Sequence, residues 1–134
     1  MKVIKKTTWV VPSGIHQAII ADARITNGKN GTDELRLIFE ITSLIHPLKK
    51  YQAKKTYNEQ DQNHLAHDLE ALLKDDIGAV IGLEGEILAD KLGVLEGKCV
   101  EIEVTHLYDP AFKDPFCKVR RIGQPGQLLK KLVP

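Results

Sequence analysis

Cysteine is scarce in this 134-residue chain: only Cys99 and Cys117 occur, and no CxxC pair exists. Two isolated thiols supply neither a disulfide framework nor a zinc site. Each falls in a predicted strand, so both are expected to be buried and reduced, in a cytoplasmic protein. Long apolar runs are also missing. None approaches the roughly 20 residues that span a bilayer, which excludes a membrane partner of the helical kind. The opening MKVIKKTTWVV is basic but has no long apolar core or small-residue cleavage site, and this argues against a secretory leader. Asn30-Gly31-Thr32 matches a glycosylation acceptor and is then read as a turn. Aromatics make up only 5% of the chain, and Trp9 is the single tryptophan; a core anchor is its expected role.

A large charge of one sign is absent too. The net charge is +1, which by itself says nothing for nucleic acid. Its distribution says more. Residues 1–57 carry a net +6, residues 58–116 a net −10 and residues 117–134 a net +5. Such segregation can give one small domain a basic face and an acidic face, and a local positive field steers a polyanion. Glu84, Glu86, Asp90, Glu101 and Glu103 are expected on the solvated acidic side.

The clearest pattern is a long hairpin over residues 14–42. Its second arm alternates, with Leu35, Leu37, Phe39 and Ile41 on one face and Glu34, Arg36 and Glu40 on the other, the mark of a half-buried strand. In the first arm Ile15, Ile19, Ile20 and Ile25 keep the β-branched density, but the alternation slips midway. A slip of this kind predicts a bulge, by which one strand serves two sides of a barrel. The two Asn-Gly pairs between Asn27 and Gly31 supply the positive φ angles of the reversal. Ahead of the hairpin, residues 2–11 read as an extra strand ended by Pro12-Ser13-Gly14. Lys49 to Tyr57 suggests a third strand, with neither row greasy.

Asn58 then reads as an N-cap, and Leu65, Leu69, Leu72 and Leu73 fall at helical spacing opposite His64, Asp68 and Lys74. The helix fades near Asp75–Gly78. Val100, Ile102 and Val104 mark a fourth strand, and Phe116 to Ile122 a fifth. The expected fold is mainly β with one main α-helix: an OB-fold-like five-stranded Greek-key barrel, its helix between strands 3 and 4. Residues 1–126 form this single domain and 127–134 a short tail, docked by its leucines or frayed.

The chain also resembles the small OB-fold proteins of bacteriophages and prophages that bind single-stranded DNA or assist replication. The likeness rests on VPSGIHQAIIADARI, LRLIFEI, HDLEALL and LEGKCVEIEVTH, followed by a strand ending VRRI. It implies non-sequence-specific single-strand binding in replication or recombination. The sequence departs from ordinary bacterial single-strand binding proteins in ending on a short basic segment instead of a long acidic tail, so recruitment through such a tail is not expected.

Single-strand binding needs cations along the backbone and aromatic faces for the bases. In an OB-fold this surface lies over strands 2 and 3 and the flanking loops. Arg36, Lys50, Tyr51, Lys54, Lys55 and Tyr57 fall there, Lys29 falls in the first loop, and Lys118, Arg120 and Arg121 extend the strip. No enzyme or cofactor is expected. His64 and His67, three apart on the helix and near Asp68, lack a third metal ligand at fitting spacing, nothing in the spacing selects His106, Asp109 and Cys117 as a nucleophilic set, and Gly28–Thr32 lacks the order of a phosphate loop. The alternative function is an assembly module that self-associates through an exposed sheet edge and Leu128, Leu129 and Leu132.

Overall fold

The computed structural model describes residues 11–28, 31–44, 50–111 and 115–130. The expected N-terminal strand (apart from Val11), Trp9, Lys29 and Leu132 lie outside them. Five strands form one antiparallel sheet: β1 (Gly14–Asn27), β2 (Asp33–Ile41), β3 (Gln52–Tyr57), β4 (Cys99–Leu107) and β5 (Phe116–Gly123). Their order is β3-β2-β1-β4-β5. The main helix, α1 (Gln62–Leu73), lies between β3 and β4, and a short α2 (Gln127–Lys130) follows β5.

Strand β1 holds the sheet together by pairing on both sides. Residues 14–19 pair with β4, and residues 18–27 pair with β2. The expected bulge is present: the register shifts between Ile20 and Asp22, leaving Ala21 as the extra residue. Ala18 and Ile20 are buried before the shift and Ala23 after it, so one inserted residue exchanges which parity faces the core. At the hairpin tip the Gly28 amide bonds the Thr32 carbonyl at 2.7 Å. Gly31 sits at φ 75°, a conformation that L side chains rarely adopt.

The inward row of β2 is the centre of the core. Leu35, Leu37, Phe39 and Ile41 meet Ile20, Val100, Ile102, Val104 and Val119 from the other strands, and all are buried. Each such side chain contributes about 1.5–3 kcal/mol through removal from water. Helix α1 covers the core with Leu69, Leu72 and Leu73. The 3-10 turn Glu59–Asp61 that leads into it is capped by Asn58, whose side chain accepts from the Gln60 amide while Asp61 accepts from the Asn58 amide; Asp61, the N-cap of α1 itself, makes no side-chain capping bond. No helix among the described residues is long and apolar enough to cross a membrane.

Three expectations fail here. Glu101 is not on a solvated face; it is fully buried. Its carboxylate accepts from Gln17 Nε2 at 2.6 Å and from the amides of Gly126 and Leu128 at 2.9 and 2.7 Å, so the chain's return over β4 covers it. Asp68, placed by helical spacing on the polar side of α1, is only 3% exposed. Cys99 is exposed and Cys117 half-buried, and both are free thiols; Cys99 starts β4 at the margin of the sheet, where nothing covers it.

Candidate nucleic-acid interface

The edge strands β3 and β5 face each other without pairing, and between them lies a cleft of about 480 Å³. Alternation decides what each strand offers to it. On β3, Ala53, Lys55 and Tyr57 share the inward row, and Ala53 and Tyr57 are buried. Lys55 lies between them with a side chain only 11% exposed. A buried ammonium is costly unless paired. Asp68 supplies the pairing, its Oδ2 standing 3.1 Å from Lys55 Nζ.

The same carboxylate accepts a short hydrogen bond from the Tyr57 hydroxyl. Lys55 also donates to Nε2 of His64, one turn earlier on α1, at 2.9 Å, since an ammonium can only donate. Its charge lies 5.3 Å from the Tyr57 ring centroid, within cation–π range. Burial first, and then the charge of Asp68, pushes the Tyr57 hydroxyl well above the usual tyrosine pKa. Tyr57, Asp68, Lys55 and His64 thus form a closed network at the floor of the cleft.

Strand β5 contributes the opposite kind of surface. Phe116, Lys118 and Arg120 alternate outward and are exposed. A second bulge accounts for two successive arginines. Glu103 opposes Arg121 while Val104 opposes Val119, so Arg120 is the inserted residue. The bulge turns Arg121 towards Glu103, to which its guanidinium donates twice, at 2.8 and 3.0 Å. These bonds hold the Glu103 carboxyl below the usual carboxylate range. Lys118, Arg120, Lys54 and Lys55 all line the cleft, and among the described residues lining it Asp61 is the one carboxylate.

Leu107 lines the cleft, and exposed aromatic side chains neighbour it at the same end of the β4–β5 ladder. Leu107 and Phe116 oppose each other across the β4–β5 ladder, and Tyr108 follows. They are 51%, 47% and 79% exposed, far more than large apolar side chains in a core. His106 meets the Tyr108 ring edge-on at 6.3 Å and is itself held by the Val11 carbonyl at 2.7 Å. Tyr108 and Phe116 are the large aromatic side chains most exposed among the described residues. Sequence reasoning missed them, although Phe116 stands two residues before Lys118 on the same strand row.

The predicted strip is accordingly divided. Lys54, Lys118 and Arg120 converge at the cleft. Tyr57 lies there too, but its ring is sealed in the core, so it offers no face to a base; Lys55 spends its charge on Asp68. Tyr51 is half-buried and packs against the core. Lys50 stands 3.6 Å from Glu40, and Arg121 is committed to Glu103. Arg36 faces a different hollow, of about 510 Å³, beside Glu34 and Glu59.

His106 and Cys117 both donate to the Val11 carbonyl, while Asp109 accepts from the Ala111 amide in its own turn. Those three are occupied structurally. Among the described residues no three His, Cys, Asp or Glu side chains gather as metal ligands. In comparisons with known proteins, no family model matches the chain and no curated protein matches it.

Proposed function

We propose that this protein binds single-stranded DNA along the β3–β5 cleft, as a non-enzymatic OB-fold module of the phage or prophage type acting in replication or recombination. The observation that carries the proposal is the meeting of Lys54, Lys118 and Arg120 from two strands on one cleft, next to exposed Tyr108 and Phe116. Cations on a track displace counterions from phosphates. Exposed rings at its end accept stacked bases at about 1–3 kcal/mol each. Supporting the OB assignment are the β3-β2-β1-β4-β5 order, the helix between β3 and β4, and the approach of the two edge strands.

Fluorescence anisotropy with a labelled oligo(dT), competed by duplex DNA at two salt concentrations, tests this role. Tight, salt-sensitive binding that duplex fails to displace is expected. No binding at low salt overturns it. The unpaired edges of β3 and β5, with Leu107, Tyr108 and Phe116 exposed at the end of the β4–β5 ladder, also suit self-association. A mass that rises with concentration, without affinity for any nucleic acid, would favour that second role.

A further inference from the structure

The outer face of β1 and β2 carries two buried polar atoms with no hydrogen-bond partner among the described residues, Nε of Arg36 and Oγ1 of Thr26. Arg24 opposes Arg36 and Thr26 opposes Glu34 in the ladder, so Thr26 and Arg36 are diagonal neighbours. Nearly all buried polar groups in native proteins are paired, and each exception asks for a reason. Here the orphaned guanidinium nitrogen belongs to a side chain lining a hollow of about 510 Å³. Glu34, Glu59 and Gln60 stand along its walls. The Glu34 carboxylate lies over Gly28, where a side chain of any size would collide with it.

This donor set selects among ligands. Two carboxylates repel a phosphate, and a guanidinium repels a metal cation. The fitting ligand presents acceptors to Arg36 and adjacent donors to a carboxylate. Guanine does both, with O6 and N7 as acceptors and the N1–H and 2-amino groups as donors. Thymine has one donor between two carbonyls, and adenine and cytosine each have a single amino group.

We infer that this hollow is a guanine-selective base pocket, with Arg36 donating to O6 and N7 and Glu59 accepting from N1–H and the 2-amino group. Placing that guanine within a bound strand rests on the single-strand role proposed above. Thr56 lines the cleft and opposes Arg36 across β2 and β3. A backbone in the cleft therefore needs to send a base over only one strand, about 5 Å wide. Binding along the cleft is sequence-tolerant, and this one position discriminates.

The test follows the ¹H–¹⁵N resonance of Arg36 Nε in the full chain during titration with guanosine, inosine and thymidine monophosphates. A saturable shift with the guanosine nucleotide is expected, with thymidine weaker by roughly tenfold or more. Inosine, lacking the 2-amino group, should fall between them. Glu59→Gln should erase the preference, and in Arg36→Lys, which lacks this resonance, the backbone amide shifts around the hollow should show the preference erased while the charge is kept. Lys118→Glu, in the cleft, should leave it intact.

No shift with any nucleotide, or equal shifts with all, overturns the pocket. Oligo(dT) binding with no gain from an inserted dG also overturns it, yet leaves the single-strand role standing. A guanine-selective response without oligonucleotide binding upholds the pocket and removes the role.

Discussion

Strand β3 separates two hollows of nearly equal volume and contrasting chemistry. On its β5 side the cleft gathers four cationic side chains and an apolar rim. On its β2 side the hollow at the hairpin end mixes one guanidinium with two carboxylates and amide groups. Equal space thus supports different chemistry. In the proposed reading the cleft takes a repeating backbone charge, which carries no sequence information, and the hollow takes the edge of one base. What makes the cleft positive outside is a neutralised interior: Lys55 and Asp68 cancel each other beneath it, leaving Lys54, Lys118 and Arg120 to set its field.

The most damaging way to break that contrast is Asp68→Ala. It strands the Lys55 ammonium and removes the Tyr57 acceptor, so urea denaturation should show a loss of about 3–5 kcal/mol. An almost unchanged midpoint would mean the network does not hold the floor. Next comes the pair Lys118→Glu with Arg120→Glu. Oligo(dT) affinity should drop roughly 100-fold and its salt dependence flatten, while the guanosine response at Arg36 persists. Loss of both together would make the two hollows one site.

Phe116→Ala or Tyr108→Ala should each cost about 1–3 kcal/mol of oligonucleotide binding if a base stacks there, and neither should alter the salt slope. The smallest effect concerns alkali. An unfolded tyrosine ionises near the ordinary tyrosine pKa of 10.0, whereas folded Tyr57 is held protonated above that. Below pH 10 the contribution of Tyr57 is fully present. Above it the unfolded state releases a proton that the native state keeps, so stability falls by up to about 1.4 kcal/mol per pH unit. Tyr57→Phe should flatten this alkaline slope relative to the native chain, as read by chemical denaturation between pH 9 and 11.

Much of the scaffold was legible because it is local. The strict alternation of Leu35 to Ile41 places β2, the slip near Ile20 announces the bulge, and Asn58 announces the helix start. The five-strand, one-helix order follows from the same signals. The site was less legible because its key side chains are defined by partners distant in sequence. Lys55 alternates like any edge lysine, and only Asp68 on α1 explains why it is drawn inward. Glu101 alternates outward with Glu103, yet residues 126–128 cover one and leave the other to Arg121. The two adjacent arginines of β5 read as one basic strip, but the bulge at Arg120 assigns them different work. Tyr51 and Tyr57 drew attention as the tyrosines among lysines, whereas exposure singled out Tyr108 and Phe116 at a hairpin end that periodicity does not describe.

The shell around Glu101 also has a consequence for the order in which the chain is made. A growing polypeptide presents this carboxylate 27 positions before Leu128, whose amide is one of its donors. Until residues 126–128 have been added, the charge is kept in water and the outer face of β4 stays uncovered. The strands can pair earlier, but the outer face of β4 is covered only once residues 126–128 have followed it. A ribosome-bound fragment ending before Gly126 therefore stops one step short of the finished domain.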